Sequence, residues 1–99
     1  DREMLELAAR AVNGGSWHPL THNAPNGDWN PRDDDGDALR LAVYLEFEID
    51  ITITGVAVRT RCGLKVLVNK TEEPDLCAAA RLAITRAAAE IGRQMEETK

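Results

Sequence analysis

Apolar and polar positions alternate most regularly in the middle of the chain. From 47 to 53 every odd position is apolar (Phe47, Ile49, Ile51, Ile53) and every even one polar (Glu48, Asp50, Thr52). A period of two predicts a strand over residues 46–54, odd side chains toward a core and even ones toward water. Two more strands follow, about 56–60 with Val56 and Val58 inward, and 64–69 with Leu64, Val66 and Val68 inward. A tight turn at Thr54-Gly55 pairs Ile53 with Val56 and Ile51 with Val58, and sets Asp50 opposite Arg59. A three-residue loop, Arg61-Cys62-Gly63, with Gly63 left-handed, pairs Val58 with Val66 and Val56 with Val68.

Elsewhere the period lengthens to that of a helix. Residues 2–12 place Met4, Leu5, Leu7, Ala8, Ala11 and Val12 near one stripe, and Asn13-Gly14-Gly15 supplies a stop. A second helix fits residues 36–45, with Asp34 or Asp35 as cap and Asp37 in the first turn. Its buried stripe is Leu39, Ala42 and Val43. A third runs roughly over 74–95, with Pro74 at its first position. Its inward stripe is Leu76, Ala80, Ala83, Ile84, Ala87, Ile91 and Met95, while Arg81, Arg86, Glu90 and Arg93 face elsewhere. Residues 16–35 match neither period, and a loop of that length in a compact domain is often functional. The expected fold is α+β in a single domain, 1–99. A three-stranded antiparallel β-meander packs against helices in the order α-α-β-β-β-α.

Composition narrows the setting. With 43% apolar and 29% charged residues the chain belongs with globular proteins. No apolar run approaches the ~20 residues that span a bilayer, so no membrane role is expected. Asp1-Arg2-Glu3 lacks the blocks of a signal peptide, and the missing initial Met suits a processed or trimmed chain. Two cysteines, Cys62 and Cys77, are too few for a disulfide framework, which points to reduced thiols and the cytoplasm. A net charge of −5 argues against nucleic acid as partner. The acidity is local. Residues 28–50 carry eight acids and two arginines, net −6, whereas 51–99 are net +2.

Candidate chemistry therefore gathers in Trp29-Asn30-Pro31-Arg32-Asp33-Asp34-Asp35-Gly36-Asp37. An EF-hand reading fails: Gly36 at position six puts Pro31 at position one and Ala42 at twelve. Two readings remain. In one, the acids cap the helix and Trp29 lies on the core; in the other, Trp29, Asn30, Asp33, Asp34, Asp35 and Asp37 form a recognition loop with an aromatic anchor. His18 and His22 are four apart, but Pro19 intervenes and a zinc site needs two more ligands. No phosphate loop, nucleophile elbow or zinc-enzyme motif is present, so neither catalytic residues nor a cofactor or metal is expected. The outer sheet face carries Glu48, Asp50, Thr52, Ala57, Arg59, Lys65 and Leu67. It suits either a solvated face or a dimer or partner surface centred on Ala57 and Leu67.

The stretch from Trp29 to Val43 resembles the central signature of a family of small bacteriophage and prophage proteins, the phage α-β-α sandwich domain. The Leu/Ala-rich opening helix and the Arg- and Ala-rich run 81–92 extend the resemblance over about residues 3–94. It implies an accessory phage protein inside a bacterial host, with no established activity, and helices on both faces of the sheet. The expected function is binding rather than catalysis, directed at a host protein. Alternatives are sequestration of a nucleotide-like ligand by Trp17, Trp29, Arg59 and Arg81, in an oligomer, and a carboxylate-metal enzyme.

Overall fold

A computed structural model describes residues 2–13 and 29–97. The order is α1 (Arg2–Asn13), α2 (Asp35–Leu45), β1 (Glu48–Thr52), β2 (Gly55–Arg59), β3 (Lys65–Asn69), a single 3-10 turn (Lys70–Glu72) and α3 (Leu76–Glu97). The strands form one antiparallel sheet in the order β1-β2-β3. The expected α+β meander is therefore observed. Residues 14–28, with His18, His22 and Trp17, lie outside the described residues. Among the described residues, no helix is long and apolar enough to cross a membrane.

The centre of the molecule is α3. It packs on β2 and β3 and also carries α1 and α2, so it is buried over most of its circumference. Ala78, Ala79, Leu82, Ala83, Ile84, Thr85, Ala87, Ala88 and Ala89 are all buried. The single stripe expected from the sequence is too narrow, and Met95, expected inward, is exposed. Alanine and glycine permit this crowding. At Gly92 an added Cβ would lie 1.9 Å from the Leu7 carbonyl oxygen on α1. Buried Thr85 turns its hydroxyl back to the Arg81 carbonyl, 2.7 Å away, which satisfies it within the helix. Asp75 caps α3 by accepting from the Ala78 N–H at 2.7 Å. Pro74 thus lies two residues before the first helical position rather than at it.

The second hairpin has the expected register, Val58 opposite Val66 and Val56 opposite Val68, and Gly63 has a φ of 95°. The first hairpin does not. Ile51 faces Val56, Ile49 faces Val58, and Glu48 rather than Asp50 faces Arg59. The two-residue turn is Ile53-Thr54, supported by Thr52 Oγ1, which accepts from the Thr54 N–H at 3.2 Å. Gly55 belongs to β2, where a Cβ would stand 2.4 Å from the Val68 carbonyl oxygen. Glycine is there for close backbone approach to β3, not for the turn.

The larger departure concerns β1. Its odd residues share a face with Val56 and Val58, as the alternation predicts, yet Ile49, Ile51 and Ile53 are 37%, 58% and 84% exposed. The reason is cover. Periodicity fixes which face a side chain occupies, but α3 lies over β2 and β3 and stops short of the edge strand. Only Phe47, before the strand, packs against the core. Leu39 and Val43 of α2, expected in the buried stripe, are also exposed; Ala42 is buried as expected, with Ala38 and Leu41 in place of the other two. The described helices lie on one side of the sheet, so the two-faced cover implied by the family resemblance is not observed among the described residues.

Candidate functional site

Glu46 closes α2 in the left-handed conformation (φ 58°, ψ 48°). Its N–H donates to the Val43 carbonyl at 3.2 Å, and that of Phe47 donates to the Ala42 carbonyl at 3.0 Å. These two bonds form a Schellman ending with glutamate at the position glycine usually takes. The resulting sharp exit aims β1 away from α2 and leaves a groove between them.

At its other end α2 opens on the acidic run, and the run proves largely self-satisfied. Asp34 is the N-cap and accepts from the Asp37 N–H at 2.8 Å. Asp37 accepts from the Asn30 N–H at 2.8 Å and from Arg40 at 2.7 Å. Asn30 Oδ1 accepts from the N–H groups of Arg32 and Asp33, and its amide donates to Asp33. Asp35 is paired with Arg81 at 2.5 Å, and Arg81 Nε also donates to the Arg32 carbonyl. The hydrogen bond to the Asp35 carboxylate raises the Arg81 pKa above its ordinary value. Arg32 in turn reaches Glu73 at 2.7 Å. Trp29, 4% exposed, and Pro31 are core residues. Trp29 is therefore a brace, and the expectation of an exposed aromatic anchor is corrected.

The structure thus gathers Trp29, Asn30, Asp33, Asp34, Asp35, Asp37 and Arg81 at one end of α2. Arg59 is elsewhere, on the outer sheet face between Glu48 and Lys65. Sequence reasoning missed Arg40 and Glu73. Arg40 stands three residues after Asp37, a spacing that brings the two together on a helix and could have flagged the pair. Among the described residues no three His, Cys, Asp or Glu side chains converge as a metal site. Because the acids cap rather than recruit, Asp34→Ala is expected to cost about 1 kcal/mol in urea unfolding and Asp34→Asn much less. Equal losses in both variants would mean that the charge, not the cap, matters.

Among the described residues three surfaces are open. A cleft of about 480 Å³ lies between α1, α3 and β3, with Met4, Leu7, Leu64 and Val66 among its walls. Arg86 and Arg93 at its rim are paired with Glu72 and Glu90. A second groove of about 250 Å³, almost wholly apolar, is formed by Leu39 and Ala38 of α2, Ala80 and Ile84 of α3, and Ile49 and Ile51 of β1. The third is the outer sheet face, where Leu67 is 64% exposed beside Ala57. Two shallow depressions of about 280 and 190 Å³ lie there, the first between Glu48, Asp50, Arg59 and Lys65.

At the loop between β2 and β3, Cys62 is exposed and its sulfur lies 3.1 Å from Thr60 Oγ1. That hydroxyl, with the Leu64 N–H, lowers the thiol pKa. No protein-family model, curated protein or solved structure matches this chain.

Proposed function

We propose that the chain is a binding protein whose outer sheet face docks a partner protein, and that it acts as an accessory phage protein on a factor of the bacterial host. The observation that carries this reading is the uncovered face itself. All the described helices pack on the other side, leaving Glu48, Asp50, Thr52, Arg59, Lys65, Leu67 and Asn69 exposed. A solvated sheet face ordinarily bears polar side chains throughout. Here a leucine and an alanine occupy the centre of the middle row, Asp50–Ala57–Leu67, beside the charged row Glu48–Arg59–Lys65. An apolar centre within a polar rim is the anatomy of a non-obligate interface. The phage setting is supported by the resemblance of the stretch from Trp29 to Val43.

The test is affinity capture from a lysate of the host bacterium, with wild-type protein and the Leu67→Glu variant side by side. Leu67 is exposed, so the variant is expected to fold as the parent does. A host protein retained by the parent and lost at least ~10-fold with Leu67→Glu supports the reading. Retention unaffected by the substitution, or no retained protein, refutes it.

A further inference from the structure

The edge of β1 is open, and its chemistry specifies what can pair with it. Edge strands are usually protected by lysine, proline, a bulge or a covering segment; Glu48-Ile49-Asp50-Ile51-Thr52 has neither lysine nor proline. A two-residue turn is closed by a hydrogen-bonded pair, here Thr52 with Gly55. By alternation Glu48, Asp50 and Thr52 direct their N–H and C=O toward β2, whereas those of Ile49 and Ile51 point out of the sheet. The side chains divide by face. Ile49 and Ile51 are exposed and border the apolar groove with Leu39. Glu48 and Asp50 stand on the outer face, and among the described residues neither carboxylate has an ion-pair partner.

We propose that this edge takes up an extended segment of a partner protein as a fourth, antiparallel strand, and that the segment alternates basic and aliphatic residues. Charge selects the occupant. β1 carries two acids and no base, so a strand bearing acids sets like charges side by side. Lysine or arginine opposite Glu48 and Asp50 instead makes favourable cross-strand pairs. Spacing sharpens the selection. Ile49 and Ile51 are the hydrogen-bonding positions of this edge, so Glu48 and Asp50 occupy the others, where facing side chains approach most closely. Arg59 already lies opposite Glu48 on the β2 side, but Asp50 faces Ala57 and is the acid with most to gain. On the groove side, aliphatic residues of the segment lie opposite Ile49 and Ile51. A period of two keeps bases beside acids and aliphatic residues beside isoleucines along the whole strand.

Main-chain bonds to Ile49 and Ile51 supply affinity in this mode, and the alternating side chains supply specificity. The edge is separate from the outer-face patch proposed above. Leu67 lies on β3, two strands or about 10 Å from β1, so each reading can fail without the other.

The test is fluorescence anisotropy of a labelled peptide, Thr-Val-Lys-Ile-Lys-Val-Thr, titrated with the full chain to about 500 µM. Saturable binding is expected, at least ~10-fold tighter than for Thr-Val-Glu-Ile-Glu-Val-Thr. The same margin is expected over the lysine peptide's residues in block order, Val-Val-Ile-Thr-Thr-Lys-Lys, which has equal charge and no alternation. Methylating the amide nitrogens of the aliphatic residues removes the donors that face Ile49 and Ile51, and is expected to weaken binding at least ~10-fold. Asp50→Lys is expected to shift the ratio of the two alternating peptides' affinities at least ~10-fold toward the glutamate peptide. Asp50 is exposed, so this variant is expected to fold as the parent does, which circular dichroism verifies. Leu67→Glu is expected not to weaken binding. Any one of five results overturns the proposal: no binding of the lysine peptide, equal binding of the block-order peptide, equal binding of the methylated peptide, an unchanged ratio in Asp50→Lys, or loss of binding with Leu67→Glu.

Discussion

Gly92→Ala is expected to destabilise the protein by about 3 kcal/mol, the upper end of the usual overpacking range. In a chain of this size that corresponds to a fall of roughly 12–24 °C in melting temperature. The methyl group would sit 1.9 Å from the Leu7 carbonyl oxygen and 2.7 Å from its carbon. Both belong to backbone, so no side chain can swing aside; α1 must move off α3 or shift along it. Gly63→Ala is the control. Its φ of 95° is unfavourable for alanine, but nothing lies within 4 Å of the added carbon. It is expected to cost only backbone strain, roughly 1–2 kcal/mol. If Gly92→Ala unfolds within 1 kcal/mol of the parent, α1 does not seat against α3 at this point.

The second large effect is expected at Trp29. Trp29→Ala removes the largest side chain of the buried cluster and should cost about 3–5 kcal/mol. Trp29→Phe should cost far less, about 1 kcal/mol. It keeps most of the ring, and it deletes an indole N–H that is buried with no partner among the described residues. Urea unfolding followed by circular dichroism separates the two. A brace gives this graded pair, whereas an aromatic held out for a ligand would leave both variants as stable as the parent.

Most of the architecture was readable from local pattern. The second hairpin was legible because Val56, Val58, Val66 and Val68 meet apolar to apolar in only one way around a three-residue loop. The first was not, because Gly55 serves two possible roles. As a turn residue it would shift the register by two, and that shift keeps the same faces, so alternation alone cannot choose between them. The deciding fact is three-dimensional: the Val68 carbonyl fills the space a side chain would need. Helix α3 misled in a related way. One stripe describes a helix on a surface, and α3 is enclosed by the sheet on one side and by α1 and α2 on others.

The same distinction governs the candidate sites. The cap was legible from acid spacing before an apolar run, to within the choice between Asp34 and Asp35, and the structure uses Asp34; Asp37, expected in the first turn, lies there and ties the helix to the Asn30 N–H. The exposure of Ile49, Ile51, Leu39 and Val43 was not legible. Sequence period specifies a direction, and whether something lies in that direction depends on where the rest of the chain stops. Residues that look like interior by pattern and lie open in space therefore define the β1 groove better than any motif does.

Because α3 is the common support of α1, α2 and the sheet, the described chain has little to pack on until its last element is made. On the ribosome, Val56, Val58 and Val68 emerge before the helix that covers them. At ordinary elongation rates the 22 residues of α3 take about 1–4 s to add. Without α3 the short helices and the three-stranded ribbon are each marginal in water, so the described elements are expected to fold together around one alanine-lined rod rather than one by one.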